Sequence, residues 1–148
     1  MPSANPQVPQ GQLNRLRGSI TFSSFPGLNV TASYLGREGL GLNFEGQATL
    51  SIDTMTGVVQ SPEPYVKASV MVHLIKTQAL AALFKAQIEN STLLGDATVR
   101  TDATSLPPYQ LSNCAISTVN AIKIDGTDAG WVIMITGIYY INSALWNV

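Results

Sequence analysis

Short runs of alternating apolar and polar residues occupy most of the chain after residue 18. Alternation with a period of two predicts β-strands, because successive side chains of a strand point to opposite faces. In the runs before residue 54, one face is apolar and the other carries mainly Thr, Ser, Asn or Gln, as in antiparallel strands that expose one side to water. Together, the alternating runs cover residues 20–22, 30–34, 40–44, 48–52 and 65–75.

The C-terminal part of the chain predicts two longer strands, over residues 113–125 and 131–141, joined by a turn that begins at Asp125 and Gly126. The second strand is β-branched or aromatic almost throughout and has no charged residue, which is typical strand composition. Alternation makes both of its faces apolar. One face carries Trp131, Ile133, Ile135, Tyr139 and Ile141, and the other carries Val132, Met134, Ile138 and Tyr140.

Leaving either face of this strand in water would be costly. Burying four such side chains is worth on the order of 6–12 kcal/mol, which is comparable with the roughly 5–15 kcal/mol net stability of a domain. A short chain has few elements with which to cover both faces. We therefore expect other copies of the same protein to supply the missing cover.

One helix is predicted, over about residues 77–90, with Thr77 as its cap and apolar residues at helical spacing after it. Turns or loops are expected at residues 36–39 and 54–57, an irregular extended segment at 61–64, and a short strand at 97–101. Residues 1–18 are rich in Pro, Ser, Asn and Gln and predict an extended arm. Residues 19–148 then form a single, mainly β domain with antiparallel strands.

The chain is poor in charge. Eight Lys and Arg and nine Asp and Glu make up 11% of the residues and give a net charge of −1, against roughly 25% charged residues in an average domain. This composition argues against a nucleic-acid binder, which would carry a basic stripe. It favours a protein that hides much of its surface in an assembly. Strand faces of uncharged polar residues would also suit the wall of a channel.

Candidate chemistry is sparse. His73 is the only histidine and Cys114 the only cysteine, and the acidic residues are dispersed. A strand histidine and a small buried cysteine are the simpler interpretations of these two residues than a catalytic or metal site. We expect no enzymatic activity and no cofactor. The single cysteine, the absence of a secretory signal and the lack of a long apolar segment predict a soluble protein made in the cytoplasm.

Eight motifs together carry a resemblance. They are Pro-Ser-Ala-Asn-Pro at 2–6, Leu-Asn-Arg-Leu-Arg at 13–17, Phe-Pro at 25–26, Leu-Asn-Val at 28–30, Tyr-Leu-Gly-Arg-Glu-Gly at 34–39, Thr-Met-Thr-Gly at 54–57, Ser-Pro-Glu-Pro-Tyr at 61–65 and Ile-Asn-Ser-Ala-Leu-Trp at 141–146. Over essentially its whole length the chain resembles the tail tube proteins of contractile-tailed bacteriophages (myophages), which are structurally related to type VI secretion tube proteins.

The resemblance implies a small antiparallel β-barrel or sandwich with one flanking helix. It implies a structural virion protein whose six-membered rings stack into the inner tail tube, assembled in the host cytoplasm, through which the genome is ejected. The implied partners are further copies of the chain and the tail sheath, baseplate and tail terminator proteins. Double-stranded DNA would pass through the lumen without specific binding, and no membrane insertion is implied.

Residue roles follow from this resemblance as expectations. A lumen wall should carry few cations, since each phosphate contact adds affinity, and the candidate lumen-facing residues are Gln47, Thr49, Ser51 and Asp53. The candidate inter-subunit or inter-ring residues are Leu13, Arg15, Arg17, Met55, Val58, Val59, Tyr140, Leu145 and Trp146. The alternative function is a monomeric β-barrel that binds a ligand in an apolar pocket. An enzyme is the third and weakest reading.

Overall fold

The computed structural model describes residues 17–103 and 106–145, and these contain eight strands and one α-helix. The elements are β1 (Gly18–Phe22), β2 (Leu35–Glu45), β3 (Thr49–Asp53), β4 (Val58–Pro62), β5 (Tyr65–Ile75), α1 (Ala79–Asn90), β6 (Leu93–Thr101), β7 (Tyr109–Val119) and β8 (Gly130–Tyr140).

Six of the strands form one antiparallel sheet in the order β1-β6-β7-β8-β5-β2, and β3 and β4 pair with each other in a separate two-stranded sheet. The large sheet curls into a half-barrel that is flanked by the helix. The curl brings its two edge strands close together: a Cβ added at Gly18 of β1 would lie 3.1 Å from Leu40 Cδ1 of β2. The prediction of a mainly β, barrel-like fold with one helix is confirmed.

The core lies inside the curl, where the apolar faces of the strands meet the helix. Leu80, Ala81 and Phe84 are the buried residues of α1. The Phe84 ring packs edge-to-face against the Phe22 ring of β1, with 6.4 Å between the ring centroids. The predicted helix is therefore confirmed, but its predicted cap is wrong. Gln78 occupies the N-cap position in an extended conformation and makes no capping side-chain hydrogen bond.

Two segments near the start of the domain differ from the sequence prediction. Residues 30–34 were expected to form a strand, but only Val30 pairs, in a single bridge with Ile20, and Ala32–Tyr34 forms a 3-10 turn. Residues 36–39 were expected to form a turn, but they lie within β2. Gly39 has a φ of 67°, and the β2–β5 register shifts just before Leu40. Glycine at this φ lets the strand bulge and continue instead of reversing.

The predicted C-terminal strand pair is present with shifted boundaries. β7 ends at Val119, so a loop of residues 120–129 joins it to β8, rather than a tight turn at Asp125. Trp131, Ile133 and Ile135 of β8 are buried in the core. The opposite face of β8 is only half-buried, and Tyr140 at its end is exposed. The described part of the chain thus covers one face of this strand fully and the other face partly.

Candidate assembly surfaces

The hairpin of β3 and β4, residues 49–62 and here called the projecting hairpin, lies outside the large sheet. It leaves the sheet at the end where β2 finishes and β5 begins, and residues 46–60 are all exposed. Five residue pairs connect its strands, from Thr49 opposite Pro62 to Asp53 opposite Val58. At about 3.3 Å per residue, the ribbon reaches roughly 17 Å from its base.

The projecting hairpin has two chemically different faces, because residues directly opposite each other in an antiparallel pair share a face. Ile52 lies opposite Val59, and Leu50 lies opposite Ser61, which gives one largely apolar face. The other face is mostly polar, and on it the Ser51 hydroxyl donates a hydrogen bond of 2.7 Å to Gln60 Oε1. The remaining members of the polar face are Thr49, Asp53, Val58 and Pro62.

The tip of the hairpin is a closed turn. The Thr54 amide donates to the Gly57 carbonyl at 2.7 Å, and the Gly57 amide donates to Thr54 Oγ1 at 3.1 Å. This turn presents Met55 with its side chain fully in solvent, at 101% relative exposure. The tip is thus a hydrogen-bonded turn rather than a frayed end, and it holds the methionine side chain out in solvent.

Asn142 holds the base of the hairpin. Its side-chain amide donates to the Glu63 carbonyl at 2.8 Å and to the Ala48 carbonyl at 3.3 Å, so it ties together the two chain segments that enter and leave the ribbon. Asn142 has a φ of 54°, in the left-handed region that asparagine tolerates better than most residues. The Glu63 amide adds a bond of 2.9 Å to the Ala48 carbonyl. Within residues 17–103 and 106–145, the ribbon is therefore anchored to the sheet at its root alone.

The exposed apolar surface of the hairpin is large for so small an element. Besides Met55, its large apolar side chains are between 43% and 55% exposed. Covering all five would contribute about 5–9 kcal/mol, if a half-exposed side chain gains about half of the value for full burial. An isolated two-stranded hairpin is marginally stable in water. The hairpin therefore carries more exposed apolar surface than its own pairing stabilises. The four half-exposed residues are Leu50, Ile52, Val58 and Val59.

A second exposed apolar segment is the loop of residues 120–129, here called the distal loop. Ile124 is 97% exposed, and Ile122 and Val119 are also exposed. The loop is fixed to the end of β5: the Lys76 amide donates to the Ala129 carbonyl at 2.8 Å, and Lys76 Nζ contacts the Lys123 carbonyl. The isoleucine side chains are thus presented on a tethered loop.

Asp125 organises the distal loop from within. Its Oδ1 accepts hydrogen bonds from the amides of Asp128, at 3.2 Å, and Thr127, at 3.3 Å, and lies 3.6 Å from Lys76 Nζ. The Asp128 amide, then the Thr127 amide and the Lys76 charge, lower the pKa of Asp125 below its ordinary value of 3.8. The carboxylate is therefore charged at neutral pH and holds the turn.

A third region is the outer face of β5 and β8, which α1 does not cover. Tyr65 and Tyr140 lie opposite each other at one end of this face, and both are exposed. Met71 and Met134 form another opposed pair further along, and both are half-buried. This face is the one that sequence analysis expected other copies to cover.

The candidate residues from the sequence divide between these surfaces. Thr49, Ser51 and Asp53 share the polar face of the projecting hairpin, and Gln47 precedes it in an exposed position. Met55, Val58 and Val59 lie on the same hairpin, while Tyr140 and Leu145 are exposed near its base. Arg17 is exposed and pairs with Asp102, with 3.6 Å between Nε and Oδ2. Leu13, Arg15 and Trp146 lie outside the described residues.

Sequence analysis missed four apolar residues of these surfaces: Leu50, Ile52, Ile122 and Ile124. Alternation alone placed Leu50 and Ile52 on an inward face, because it shows that a strand has an apolar side but not what lies against that side. A signal was available in the next strand, since residues 58–62 can close a hairpin on residues 49–53 through the Thr54–Gly57 turn.

The described residues offer little for chemistry. No group of three or more His, Cys, Asp or Glu side chains among them could hold a metal ion. Cys114 is buried, and burial together with the nearby Asp96 charge raises the pKa of its thiol to about 11. His73 is half-buried on β5, opposite Val132. Within the described part of the chain, no helix has the length and apolar character needed to span a membrane.

No family model matches the chain, and no curated protein matches it.

Proposed function

We propose that this protein is a structural subunit that self-assembles into stacked rings, and that these rings form the inner tube of a contractile phage tail. The observation that carries the proposal is the projecting hairpin. It is an ordered ribbon that the described residues anchor only at its root, with exposed apolar side chains that no described part of its own chain covers. Such an element favours a protein that is completed by partners.

The identity of the partner is argued from composition and resemblance. A chain with 11% charged residues has few groups to keep a free surface soluble. Tail tube proteins, which the chain resembles, associate mainly with copies of themselves. Six copies per ring, and contacts with tail sheath, baseplate and tail terminator proteins, belong to the proposal through that resemblance.

The composition of the polar face of the hairpin is compatible with the passage of DNA along it. Thr49, Ser51, Asp53 and Gln60 place hydroxyl, amide and carboxylate groups there, with no Lys or Arg. Because each Lys or Arg contact to a phosphate adds affinity, a wall without cations would let double-stranded DNA slide. We therefore retain Gln47, Thr49, Ser51 and Asp53 as candidate lumen residues.

The alternative of a monomeric ligand-binding barrel receives no support from the interior of the curl. That space is filled by fully buried side chains, among them Phe22, Phe84 and Ile133. Open clefts of about 290, 340, 490 and 510 Å³ do occur, but Phe22, Phe84 and Ile133 line none of them. The cleft near the two sheet edges, lined in part by Leu40 and Tyr109, is the one of about 290 Å³.

Electron microscopy of the purified full chain over a range of concentrations tests the proposal, with sedimentation velocity on the same samples. Self-assembly predicts stacked rings or tubes whose length increases with concentration. A protein that sediments as a monomer at the highest concentration and shows no rings would contradict it. Double-stranded DNA should not be needed for assembly and should be retained weakly at physiological salt.

A further inference from the structure

The two edge strands of the large sheet, β1 and β2, flank an apolar cleft of about 290 Å³ where they approach each other. Gly18 of β1 lines one side of the cleft, and Leu40 and Leu42 of β2 line the other. Leu106 and Tyr109 also line it, and the Leu106 side chain is 44% exposed. The described residues thus leave an apolar opening between the two edges of the half-barrel, and covering it would be favourable.

Aromatic rings continue this apolar surface beyond the cleft. Phe44, Tyr109 and Tyr139 contact one another, with 5.1–5.8 Å between their ring centroids. Phe44 is 41% exposed, and it shares a face of β2 with Leu40 and Leu42, because alternate residues of a strand point to the same side. The three β2 residues and the two tyrosines therefore form one apolar stripe that begins at the cleft, and the described residues cover this stripe only in part.

The N-terminal arm enters the described part of the chain at the rim of this cleft. Arg17 is held by Asp102: the Arg17 amide donates to Asp102 Oδ1 at 3.0 Å, and the Asp102 amide donates to the Arg17 carbonyl at 3.1 Å. The next residue, Gly18, lines the cleft itself. Residues 13–16 span at most about 14 Å when fully extended, so this part of the arm cannot leave the neighbourhood of the cleft.

The arm residues nearest the cleft have a composition that suits it. Leu16 and Leu13 come two and five residues before β1 begins, and Arg15 stands between them. Glu38 is an exposed residue at the cleft and forms no ion pair with the described residues. Exposed ion pairs contribute little, and Arg100 lies at the same cleft. The two leucines would therefore supply most of the attraction.

We propose that residues 13–16 fold back onto their own subunit before assembly, and that Leu13 and Leu16 fill the cleft between β1 and β2. The tether favours this occupant, because a segment attached at the rim has an effective concentration in roughly the millimolar range, far above that of arms from other copies in a dilute sample. A filled cleft would also stand between the two edge strands, whose free backbone groups are templates for pairing with other chains. The contact is a property of the single chain, and only its effect on assembly rests on the proposed function.

A spin label on the arm tests the contact. The variant Asn14→Cys carries a nitroxide between the two leucines and keeps both of them. The native Cys114 stays unlabelled, because burial and its pKa of about 11 keep its thiol protonated and unreactive. In dilute, isotope-labelled protein, the amide signals of Leu42 and its neighbours along β2 should lose most of their intensity to paramagnetic broadening. In Asn14→Cys/Leu13→Ser/Leu16→Ser most of that intensity should return, because the tether is unchanged and the apolar anchors are gone.

A mixed sample separates a contact within one chain from a contact between chains. Spin-labelled chains without isotope, mixed with isotope-labelled chains without a spin label, should cause no broadening at Leu42. Broadening in the mixture as strong as in the doubly labelled sample would overturn the proposal in favour of an arm exchanged between copies. Equal broadening with and without the two leucines would also reject docking in the cleft, since the tether alone would then explain it.

Assembly of the same chains measures the consequence of the contact. Leu13→Ser/Leu16→Ser should shorten the lag before light scattering rises several-fold, because the edge strands are then uncovered. Val8→Ser is the matched control further along the arm and should leave the lag unchanged. An unchanged or longer lag in the leucine variant would overturn the role of the arm as a cover that delays assembly. Absence of tubes from every sample, with Leu42 still broadened within single chains, would contradict the proposed function and leave the contact standing.

Discussion

Gly137 of β8 and Cys114 of β7 lie so close together that only a glycine fits at position 137. A Cβ added there would lie 2.7 Å from Cys114 Sγ, and 3.3 Å from both Leu111 Cβ and the Ser112 carbonyl oxygen. Part of this crowding comes from backbone, which cannot move aside as a flexible side chain can. The contact joins two central strands of the large sheet.

Gly137→Ala should therefore destabilise the domain, by about 1–3 kcal/mol, the usual cost of overpacking a core. Urea denaturation at a concentration that keeps the chain dispersed measures the effect. Removing the sulfur in Gly137→Ala/Cys114→Ala should recover part of the loss, because the 3.3 Å contacts remain. Gly41→Ala is the matched control within a strand: it is exposed and its new Cβ would meet only Met71 Cβ, at 3.9 Å. Equal losses in the two single variants would contradict this account.

The second prediction concerns the apolar face of the projecting hairpin. Ile52→Thr/Val59→Thr keeps β-branched side chains at an opposed pair and replaces apolar groups with hydroxyls. Both positions are about half exposed in the single chain, so its free energy of unfolding should change by less than about 1 kcal/mol. Assembly should be lost or shifted to at least about tenfold higher concentration, because the contact loses its apolar centre. Sedimentation velocity and urea denaturation provide the two readouts.

The control for this variant is a change of similar size on the opposite face. Ser51→Thr adds a methyl group and keeps the hydroxyl that donates to Gln60, so assembly should persist. If Ile52→Thr/Val59→Thr assembles like the unmodified chain, the apolar face is not a contact surface. If this double variant unfolds at a much lower urea concentration, the apolar face of the hairpin stabilises the single folded chain instead.

Several features of the fold could be predicted from the sequence alone. Alternation identified β5 at its observed boundaries, and the apolar spacing identified the helix, because these local patterns have one dominant solution. The environment of the Ile52 side chain is not determined by the local sequence. Its alternating strand looks like any half-buried strand, and only the three-dimensional arrangement shows that its apolar face lies outside the core.

The distal loop and the bulge in β2 were missed for related reasons. Asp125 and Gly126 are typical of a tight hairpin turn, yet Asp125 bonds within a longer loop that Lys76 holds from another element. Likewise, Gly39 is compatible with either a turn or a bulge. The pairing of Leu40 with Val72 on β5 selects the bulge. In each case a contact distant in sequence selected between two locally acceptable structures.

The third prediction concerns Asn142 at the root of the hairpin. Asn142→Gly keeps a residue suited to a φ of 54° and removes the bonds to the Glu63 and Ala48 carbonyls. The root should open more often, so the Glu63 amide should exchange with solvent about five- to tenfold faster, in line with about 1 kcal/mol for one hydrogen bond. Hydrogen exchange followed by NMR on the dispersed chain measures this.

Asn142→Ala separates the side-chain bonds from the backbone conformation. It loses the same bonds and adds the strain of a left-handed alanine, roughly 1 kcal/mol more, so the Glu63 amide should exchange faster still. The amide of Val70, in the middle of β5, should remain protected in both variants. Unchanged exchange at Glu63 in Asn142→Gly would mean that the Glu63–Ala48 backbone bond alone holds the root.

The fourth prediction is a pH dependence in the distal loop. The folded-state pKa of Asp125 is lowered, first by the Asp128 amide and further by the Thr127 amide and Lys76. A lowered pKa means that the charged carboxylate stabilises the loop above the ordinary value of 3.8 and that this contribution is lost as the pH falls through the folded-state pKa. The amide resonances of Thr127 and Asp128 should therefore titrate together, with a midpoint below 3.8.

Asp125→Asn tests the assignment, because the amide oxygen can still accept both backbone bonds but carries no charge to titrate. The shared titration of Thr127 and Asp128 should disappear in this variant, and the loop should lose its attraction to Lys76 at neutral pH. Lys76→Met should raise the midpoint in the unmodified carboxylate, since a favourable positive charge is removed. A titration that survives Asp125→Asn, or a midpoint above 3.8 in the original chain, would show that Asp125 is not the residue that orders this loop.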